Sequence, residues 1–318
     1  MTNNNYNGKE IAILVPCYNE EIAVEKVIED FRRVIPEAKI YIFDNNSSDK
    51  TSEVARNAGA IVKFVELKGK GNVVRRMFAD VEADIYIMTD GDATYDADSV
   101  HLLIDKLLDE DLDMVVGCRV EESKENENYR AGHRFGNMML TGTVMKIFGG
   151  NFTDMLSGYR AFSRRYVKSF PALAEGFETE TELTVHALEL RMPYGEISTP
   201  YFERPEGSES KLSTYKDGWR ILKTIIKLYA NERPTIFFGL IGLLMLIISS
   251  IIMIPIILTY LSTHEVPKFP TLILAVSLAT TGILSIAVGL ILNTVTRGRH
   301  EMERLFYLSI SNSSKKDI

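Results

Sequence analysis

Two aspartates, Asp90 and Asp92, stand either side of one glycine at the end of the apolar run Ile85-Tyr86-Ile87-Met88. Carboxylates on so tight a turn can hold a hard divalent cation, and Mg²⁺ or Mn²⁺ completes its shell with phosphate oxygens. The same pair can instead cap a following helix or face solvent in a turn. Position separates these readings. The apolar run reads as a buried strand with Asp-Gly-Asp at its exposed C-terminal end. That is the edge at which open α/β sheets bind ligands.

Other polar loops also follow apolar runs. Ile11 to Val15, stopped by Pro16, precedes Pro16-Cys17-Tyr18-Asn19-Glu20-Glu21, and Ile40 to Phe43 precedes Asp44-Asn45-Asn46-Ser47-Ser48-Asp49. A strand over 61–65 leads into Lys68-Gly69-Lys70-Gly71-Asn72, and one over 114–118 ends at Arg119. Helical stripes lie between them: Val24, Val27, Ile28, Phe31 and Ile35; residues 50–58, closed by Gly59; and Val100, Leu103, Ile104, Leu107 and Leu108. This alternation predicts an α/β, Rossmann-like domain with a parallel sheet and right-handed crossovers. The three loops at 18–20, 44–49 and 90–92 then converge on one edge. Gly-x-Gly-x-x-Gly does not follow the first strand, which argues against NAD or FAD. Farther on, 121–129 reads as a charged loop, 134–147 as a helix ended by Gly149-Gly150, and 194–201 as a strand. Glu178 and Glu180 open another helix, where acids favour the macrodipole or face a substrate.

The 318 residues carry a net charge of −7, so no basic field exists to hold a nucleic acid. Cys17 and Cys118 make no disulfide framework, which fits a reducing compartment. Residues 1–10 are polar and contain no signal-peptide core, placing the first domain on the cytoplasmic side.

The C-terminal third has a different character. Residues 213–233 predict an amphipathic juxtamembrane helix, with Tyr215, Trp219, Leu222, Ile226 and Tyr229 on one face and Lys216, Arg220, Lys223 and Lys227 beside them. That pattern suits an anionic lipid surface. Residues 235–260 carry no charge and make about 39 Å of helix, enough to cross a bilayer core of about 30 Å. Residues 269–295 form a second such span, completing a hairpin over 234–296, with 297–318 as a cytoplasmic tail. Arg220, Lys223, Lys227 and Arg233 precede the first span, and Arg297, Arg299 and Arg304 follow the second. The positive-inside rule puts both ends in the cytoplasm of a multi-pass plasma-membrane protein. Ala275/Ala279 and Ser285/Gly289 have small-xxx-small spacing, suited to the hairpin itself or to a homo-oligomer.

Val15 to Glu21, Asp44 to Asp49, Gly69-Lys70-Gly71-Asn72 and Asp90-Gly91-Asp92 resemble the motif series of the family 2 inverting glycosyltransferases of the GT-A fold. Asp154-Met155-Leu156-Ser157-Gly158-Tyr159-Arg160 and Arg204 to Leu212 are similar to the polyprenyl- and dolichyl-phosphate sugar synthases of that family. With the hairpin, the chain most resembles bacterial polyprenyl-phosphate glucosyltransferases, over roughly residues 9–300. The resemblance implies a GT-A catalytic domain over 1–212. Pro16, Tyr18, Glu20, Asp44 and Asn46 would hold the nucleoside, with Lys70 near it. Asp90 would approach the ribose and sugar, and Asp92, with Asp90, would hold Mg²⁺ or Mn²⁺ as the catalytic pair. The second motif often reads Asp-Asp-Gly-Ser in the family; here it is Asp44-Asn45-Asn46-Ser47. Thr94 stands where mannose synthases often have Gln.

The implied partners are a UDP-sugar, with glucose foremost, a polyprenyl (undecaprenyl) phosphate and membrane lipids. A phosphate monoester has its second pKa near about 6 and can attack an anomeric carbon without a general base. The site therefore needs cations that position phosphate. Arg119, Arg130, Arg134, Arg160, Arg204 and Lys211 are the candidates, since Arg forks suit phosphate oxygens. Asp154 and Glu180 would contact sugar hydroxyls or order an Arg, and Asp154 and Arg160 join the catalytic set. The competing readings are a GDP-mannose-dependent mannose synthase, a processive polysaccharide synthase and a non-catalytic nucleotide-sugar-binding scaffold. The synthase motif Gln-x-x-Arg-Trp does not match Asp217-Gly218-Trp219-Arg220.

Overall fold

The computed structural model describes residues 6, 8–121, 127–174, 176, 178–205 and 214–311. The side chains of 121, 127–136, 214–218, 220, 221, 224 and 228 lie outside that description. The chain divides into two units, 1–222 with 303–318, and 223–302.

In the first unit, β1 (Ile11–Cys17), β2 (Lys39–Asp44), β3 (Ile61–Phe64) and β4 (Ile85–Met88) alternate with α1 (Val24–Val34), α2 (Thr51–Asn57) and α3 (Lys70–Asp80). α4 (Val100–Asp109), β5 (Met114–Glu121), α5 (Glu127–Phe148), β6 (Arg160–Ser163), α6 (Arg164–Ser169), α7 (Thr179–Glu189) and β7 (Tyr194–Tyr201) follow. Among the described residues the strands form a seven-stranded sheet in the order β3-β2-β1-β4-β6-β5-β7.

Strand alternation divides the core. Ile11, Ile13, Val15 and Ile87 pack with the α1 and α4 stripes, whereas Leu14, Tyr86, Met88 and Val116 pack with Val73, Val74, Met77 and Phe78 of α3. Both faces of β1 and β4 are thus covered, which is why these strands are continuously apolar. Glu25 in the first turn of α1 and Arg32 and Arg33 in its last complement the helix dipole. Gly59 closes α2 at φ +83, a conformation that favours glycine.

The sheet is mixed, not parallel throughout. β6 runs antiparallel to both β4 and β5, while β5 and β7 pair in parallel. The chain leaves β5, passes through α5, and enters β6 without first crossing back to the other sheet edge, so β6 must run against its neighbours. Arg160-Ala161-Phe162-Ser163 is too short, and too polar at its head, to show strand periodicity. Two boundaries also move. The segment expected as a loop over 121–129 is helical from Glu127, and β5 continues to Glu121 because β7 pairs with it throughout.

Residues 303–311 belong to the first unit rather than to a separate tail. The Tyr307 hydroxyl donates to Asp113 Oδ2 at 2.5 Å, and the Arg165 guanidinium lies 4.9 Å from the Tyr307 ring centroid. α8 (Thr214–Glu232) covers the expected amphipathic segment.

α9 (Pro234–Thr263) and α10 (Phe269–Ser309) are both long and apolar enough to cross a membrane. They meet through small residues. A Cβ on Gly242 would lie 2.5 Å from the Gly282 carbonyl, so the backbones approach directly. Ser249 donates to Ala275 O at 2.7 Å and Ser285 to Phe238 O at 2.9 Å. Ala275, Ser285 and Gly289 therefore serve the hairpin. α10 passes the expected end at 295: Arg297 and Glu301, one turn apart, pair at 3.2 Å and suit continued helix.

Candidate active site

The register of the sheet brings the polar loops together. Cys17 of β1 lies beside Asp44 of β2, and Leu14 lies beside Met88 of β4. The loops after β1, β2 and β4 consequently leave the same edge. They are also tied to one another. Asn19, at φ +54, donates its amide to Ser47 Oγ at 2.9 Å, and its Oδ1 accepts from the Ser48 amide at 2.8 Å. The Glu20 amide donates to Thr51 Oγ1 at 2.8 Å. Asp44 is buried and accepts from the Ser47 amide at 2.9 Å and from Ser52 Oγ at 2.5 Å.

Asn45 explains one departure from the family pattern. Its Oδ1 accepts from the Gly69 amide at 2.7 Å, and its Nδ2 donates to the Leu67 carbonyl at 2.7 Å. A carboxylate could make only the first bond. The amide therefore joins the turn after β2 to the loop before α3. Asn46 adopts φ +61, and Tyr18 is exposed, with Lys68 Nζ 5.3 Å from its ring centroid. Pro16 is half-buried.

Lys70 bridges two acids. Its Nζ is 2.6 Å from Asp90 Oδ1 and 2.5 Å from Glu180 Oε1. Burial works against the ammonium, but Asp90 and Glu180 outweigh it and raise the lysine above its ordinary pKa. Lys70 thus ties the start of α3 to the Asp90 turn and to the start of α7. Gly158 supplies the space: a Cβ there would stand 2.7 Å from Asp90 Oδ2. The Gly158 amide donates to the Tyr95 hydroxyl at 2.9 Å.

Asp92 is buried. Its Oδ1 accepts from Thr94 Oγ1 at 2.6 Å, and its Oδ2 is 2.5 Å from Arg204 Nη2. Burial and the Asp90 charge raise its carboxyl pKa, opposed by Arg204 and the Thr94 bonds. Arg204 Nη1 also lies 3.7 Å from Glu20 Oε1. The pair Asp90 and Asp92 offers hard oxygen atoms on one turn at the sheet edge. One oxygen of each already sits against a cationic nitrogen, so the donor set fits Mg²⁺ or Mn²⁺.

A second pair lies at the ends of β5 and the 149–159 connection. Arg119 grips Asp154 through Nε to Oδ2 and Nη2 to Oδ1, each at 2.8 Å, and its amide reaches Oδ2 at 3.2 Å. Asn137 donates to Asp154 Oδ1 at 2.8 Å, and Arg119 lies over the Tyr201 ring at 5.6 Å. Burial pushes the Asp154 carboxyl up, but Arg119 and Asn137 hold it below the ordinary aspartate value. Glu196 fixes the same turn, accepting from the Thr153 amide at 2.8 Å and the Asp154 amide at 3.3 Å.

Arg160 is a correction. It is fully buried and lies among the protein's own acceptors, so it cannot present a fork to a phosphate. Nε donates to Ser157 O at 2.9 Å, Nη1 to Thr184 Oγ1 at 3.1 Å, and Nη2 to the carbonyls of Glu180 (3.2 Å) and Met155. It braces the loop carrying Asp154 against the start of α7. Lys211 and the side chains of Arg130 and Arg134 lie outside the described residues. Tyr95, Asn137 and Glu196 are the contributors that motif reading missed. Asn137 and Thr141 carried one usable signal, a polar pair one turn apart within the apolar stretch around Met138-Met139-Leu140.

The comparisons with known proteins agree with this geometry. The model of "Glycosyl transferase family 2" matches residues 12–170. Protein RfbJ of Shigella flexneri is 60% identical over 129 residues, covering 41% of this chain and 99% of that protein. Glycosyltransferase AglJ of Haloferax volcanii is 34% identical over 233 residues, covering 73% and 76%. A dolichyl-phosphate hexose transferase of the same organism is 28% identical over 228 residues, covering 72% and 97%. Among solved structures, glucosyl-3-phosphoglycerate synthase from Mycobacterium tuberculosis, in complex with Mn²⁺ and UDP-glucose, shares the fold. It has a TM-score of 0.58 at 21% identity, covering 70% of this chain and 79% of that one. The edge built from the loops after β1, β2 and β4 lies inside the region that the family model covers, and with the AglJ relative that match shows that this chain belongs to glycosyl transferase family 2 and is a glycosyltransferase.

Proposed function

We propose that the chain transfers one sugar, glucose, from a UDP-sugar to a polyprenyl phosphate of the undecaprenyl class with inversion. The observation that carries this reading is the juxtaposition at one sheet edge of the Asp90–Asp92 turn with Lys70 and Arg204. Acids suited to a diphosphate-bound cation stand beside cations suited to phosphate oxygens. The names of the dolichyl-phosphate hexose transferase and the UDP-glucose complex above support the acceptor and donor classes.

Asp92, with Asp90, would hold Mg²⁺ or Mn²⁺, which when bound supplies Lewis-acid stabilisation of the departing nucleoside diphosphate. Tyr18 offers an exposed ring for the base, and Asp44 and Asn46 border the nucleoside. Glu180 keeps Lys70 oriented toward Asp90. Arg119, fixed by Asp154, which Asn137 holds in turn, offers its remaining nitrogen to the acceptor phosphate. A dianionic phosphate oxygen attacks the anomeric carbon while the bond from that carbon to the UDP oxygen breaks. Attack opposite the leaving group gives the inverted, β-linked product. Thr94 bonds Asp92 where mannose synthases often carry Gln, which favours glucose over the GDP-mannose reading.

α9 and α10 would span the plasma membrane with the flanking Arg233 and Arg297 inside and the short connection outside. That topology holds the catalytic unit in the cytoplasm, where nucleotide sugars are supplied. The test is a donor screen with full-length protein in nanodiscs containing undecaprenyl phosphate. Label from UDP-glucose should enter the lipid fraction faster than label from GDP-mannose or UDP-N-acetylglucosamine. UDP binding without lipid product from any donor would favour the scaffold reading instead.

A further inference from the structure

Arg204 lies on the short segment just past β7, and it reaches two acids from different loops. Nη2 stands 2.5 Å from Asp92 Oδ2, and Nη1 stands 3.7 Å from Glu20 Oε1. The two partners differ in freedom. The Asp92 side chain is 6% exposed and the Arg204 side chain 25%. Thr94 holds the other Asp92 oxygen at 2.6 Å. Asp92 is therefore fixed in place, while its Oδ2 contact is exchangeable.

A small divalent cation binds carboxylate oxygen at about 2.0–2.1 Å, and it repels a guanidinium at the same atom. The two therefore compete for Asp92 Oδ2. We propose that Arg204 is a placeholder for the divalent cation at Asp92, displaced when the cation binds and handed to the phosphates that arrive with it. The proposal rests on the reading of Asp92 as a cation ligand. It makes Arg204 a positioning residue that couples cation binding to phosphate binding. Without nucleotide, Arg204 neutralises the buried acid and lowers the affinity for cation alone. With nucleotide, its planar fork gains phosphate oxygens as partners. Cation and nucleotide then bind together better than either does alone, which discourages cation loading without donor.

Mn²⁺ binding to the full-length protein in detergent, followed by electron paramagnetic resonance with and without UDP, tests this directly. Without UDP, Arg204→Gln should bind Mn²⁺ about tenfold more tightly than wild type, the size of one lost charge-assisted competitor. Arg204→Lys, which keeps the charge but loses the fork, should fall between them. With Mn²⁺ saturating, Arg204→Gln should bind UDP about tenfold more weakly, by calorimetry. A purely structural role for Arg204 would weaken both. If Arg204→Gln binds Mn²⁺ no more tightly than wild type while Asp92→Asn loses Mn²⁺ binding, the placeholder role is overturned and the cation site stands. If Asp92→Asn binds Mn²⁺ like wild type, both are overturned.

Discussion

Arg119 and Asp154 form a two-pronged ion pair, with both nitrogen–oxygen distances at 2.8 Å, between the end of β5 and the connection leading to β6. The pair exists only because β6 is antiparallel: a parallel return would carry residue 154 to the far edge. Asp154→Asn should destabilise the protein by about 2 kcal/mol, below the roughly 3–5 kcal/mol of a fully buried pair, because Arg119 is partly exposed. The sign of the pH dependence follows. The folded carboxyl lies below its unfolded value of about 3.9, so the stabilisation is present above that pH and is lost as pH falls through the folded pKa. Melting temperatures of wild type and Asp154→Asn should converge as pH drops below about 4.

Gly158→Ala tests the space around Asp90. The new Cβ would meet Asp90 Oδ2 at 2.7 Å and must displace that carboxylate from Lys70. Turnover should fall by on the order of 100-fold, as a misplacement of about 1 Å can cost. Unfolding should be easier by about 1–3 kcal/mol. Steady-state kinetics beside thermal melts would separate the two effects.

Asn45→Asp restores the acidic residue that the family often has at this position. It should nevertheless weaken the protein by about 1–3 kcal/mol, because the donor to the Leu67 carbonyl is lost. KM for the nucleotide sugar should rise as the loop before α3 loosens. Unchanged stability would show that the amide bond to Leu67 contributes nothing.

Arg160→Lys distinguishes a brace from a phosphate ligand. Lysine cannot serve acceptors on Ser157, Glu180, Thr184 and Met155 together. The expected result is a loss of about 3 kcal/mol in stability, with KM for the lipid phosphate little changed in the molecules that remain folded. A raised lipid KM at unchanged melting temperature would contradict the brace.

Tyr307→Phe removes the bond to Asp113 and should cost about 1 kcal/mol. A wild-type melting temperature for this variant would mean that the hydroxyl bond to Asp113 adds no stability to the first unit.

The sequence was most informative where one face or both faces of an element are buried. β1, β2 and β4 are continuous apolar runs, and the polar loops after them were read from those runs alone. β6 escaped because four residues headed by a buried arginine show neither alternation nor an apolar run. Arg160 was misplaced for a related reason: a motif fixes order along the chain but not depth, and depth decides whether an arginine meets a ligand or its own backbone. Asn137, Tyr95 and Glu196 act through contacts with residues 17 to 63 positions away, which no local spacing displays. The end of α10 was hidden by charge, since Arg297 and Glu301 resemble a membrane exit whether or not the helix stops there.

The most direct measurement of the central claim follows label from UDP-glucose in nanodiscs holding the full-length protein and undecaprenyl phosphate, with Mn²⁺ and again after chelation. The account predicts a single-sugar, β-linked lipid phosphate, formed with cation, abolished by chelator and by Asp92→Asn, and absent when undecaprenol replaces its phosphate. A polymeric product, or a lipid product that survives both chelation and Asp92→Asn, would contradict it.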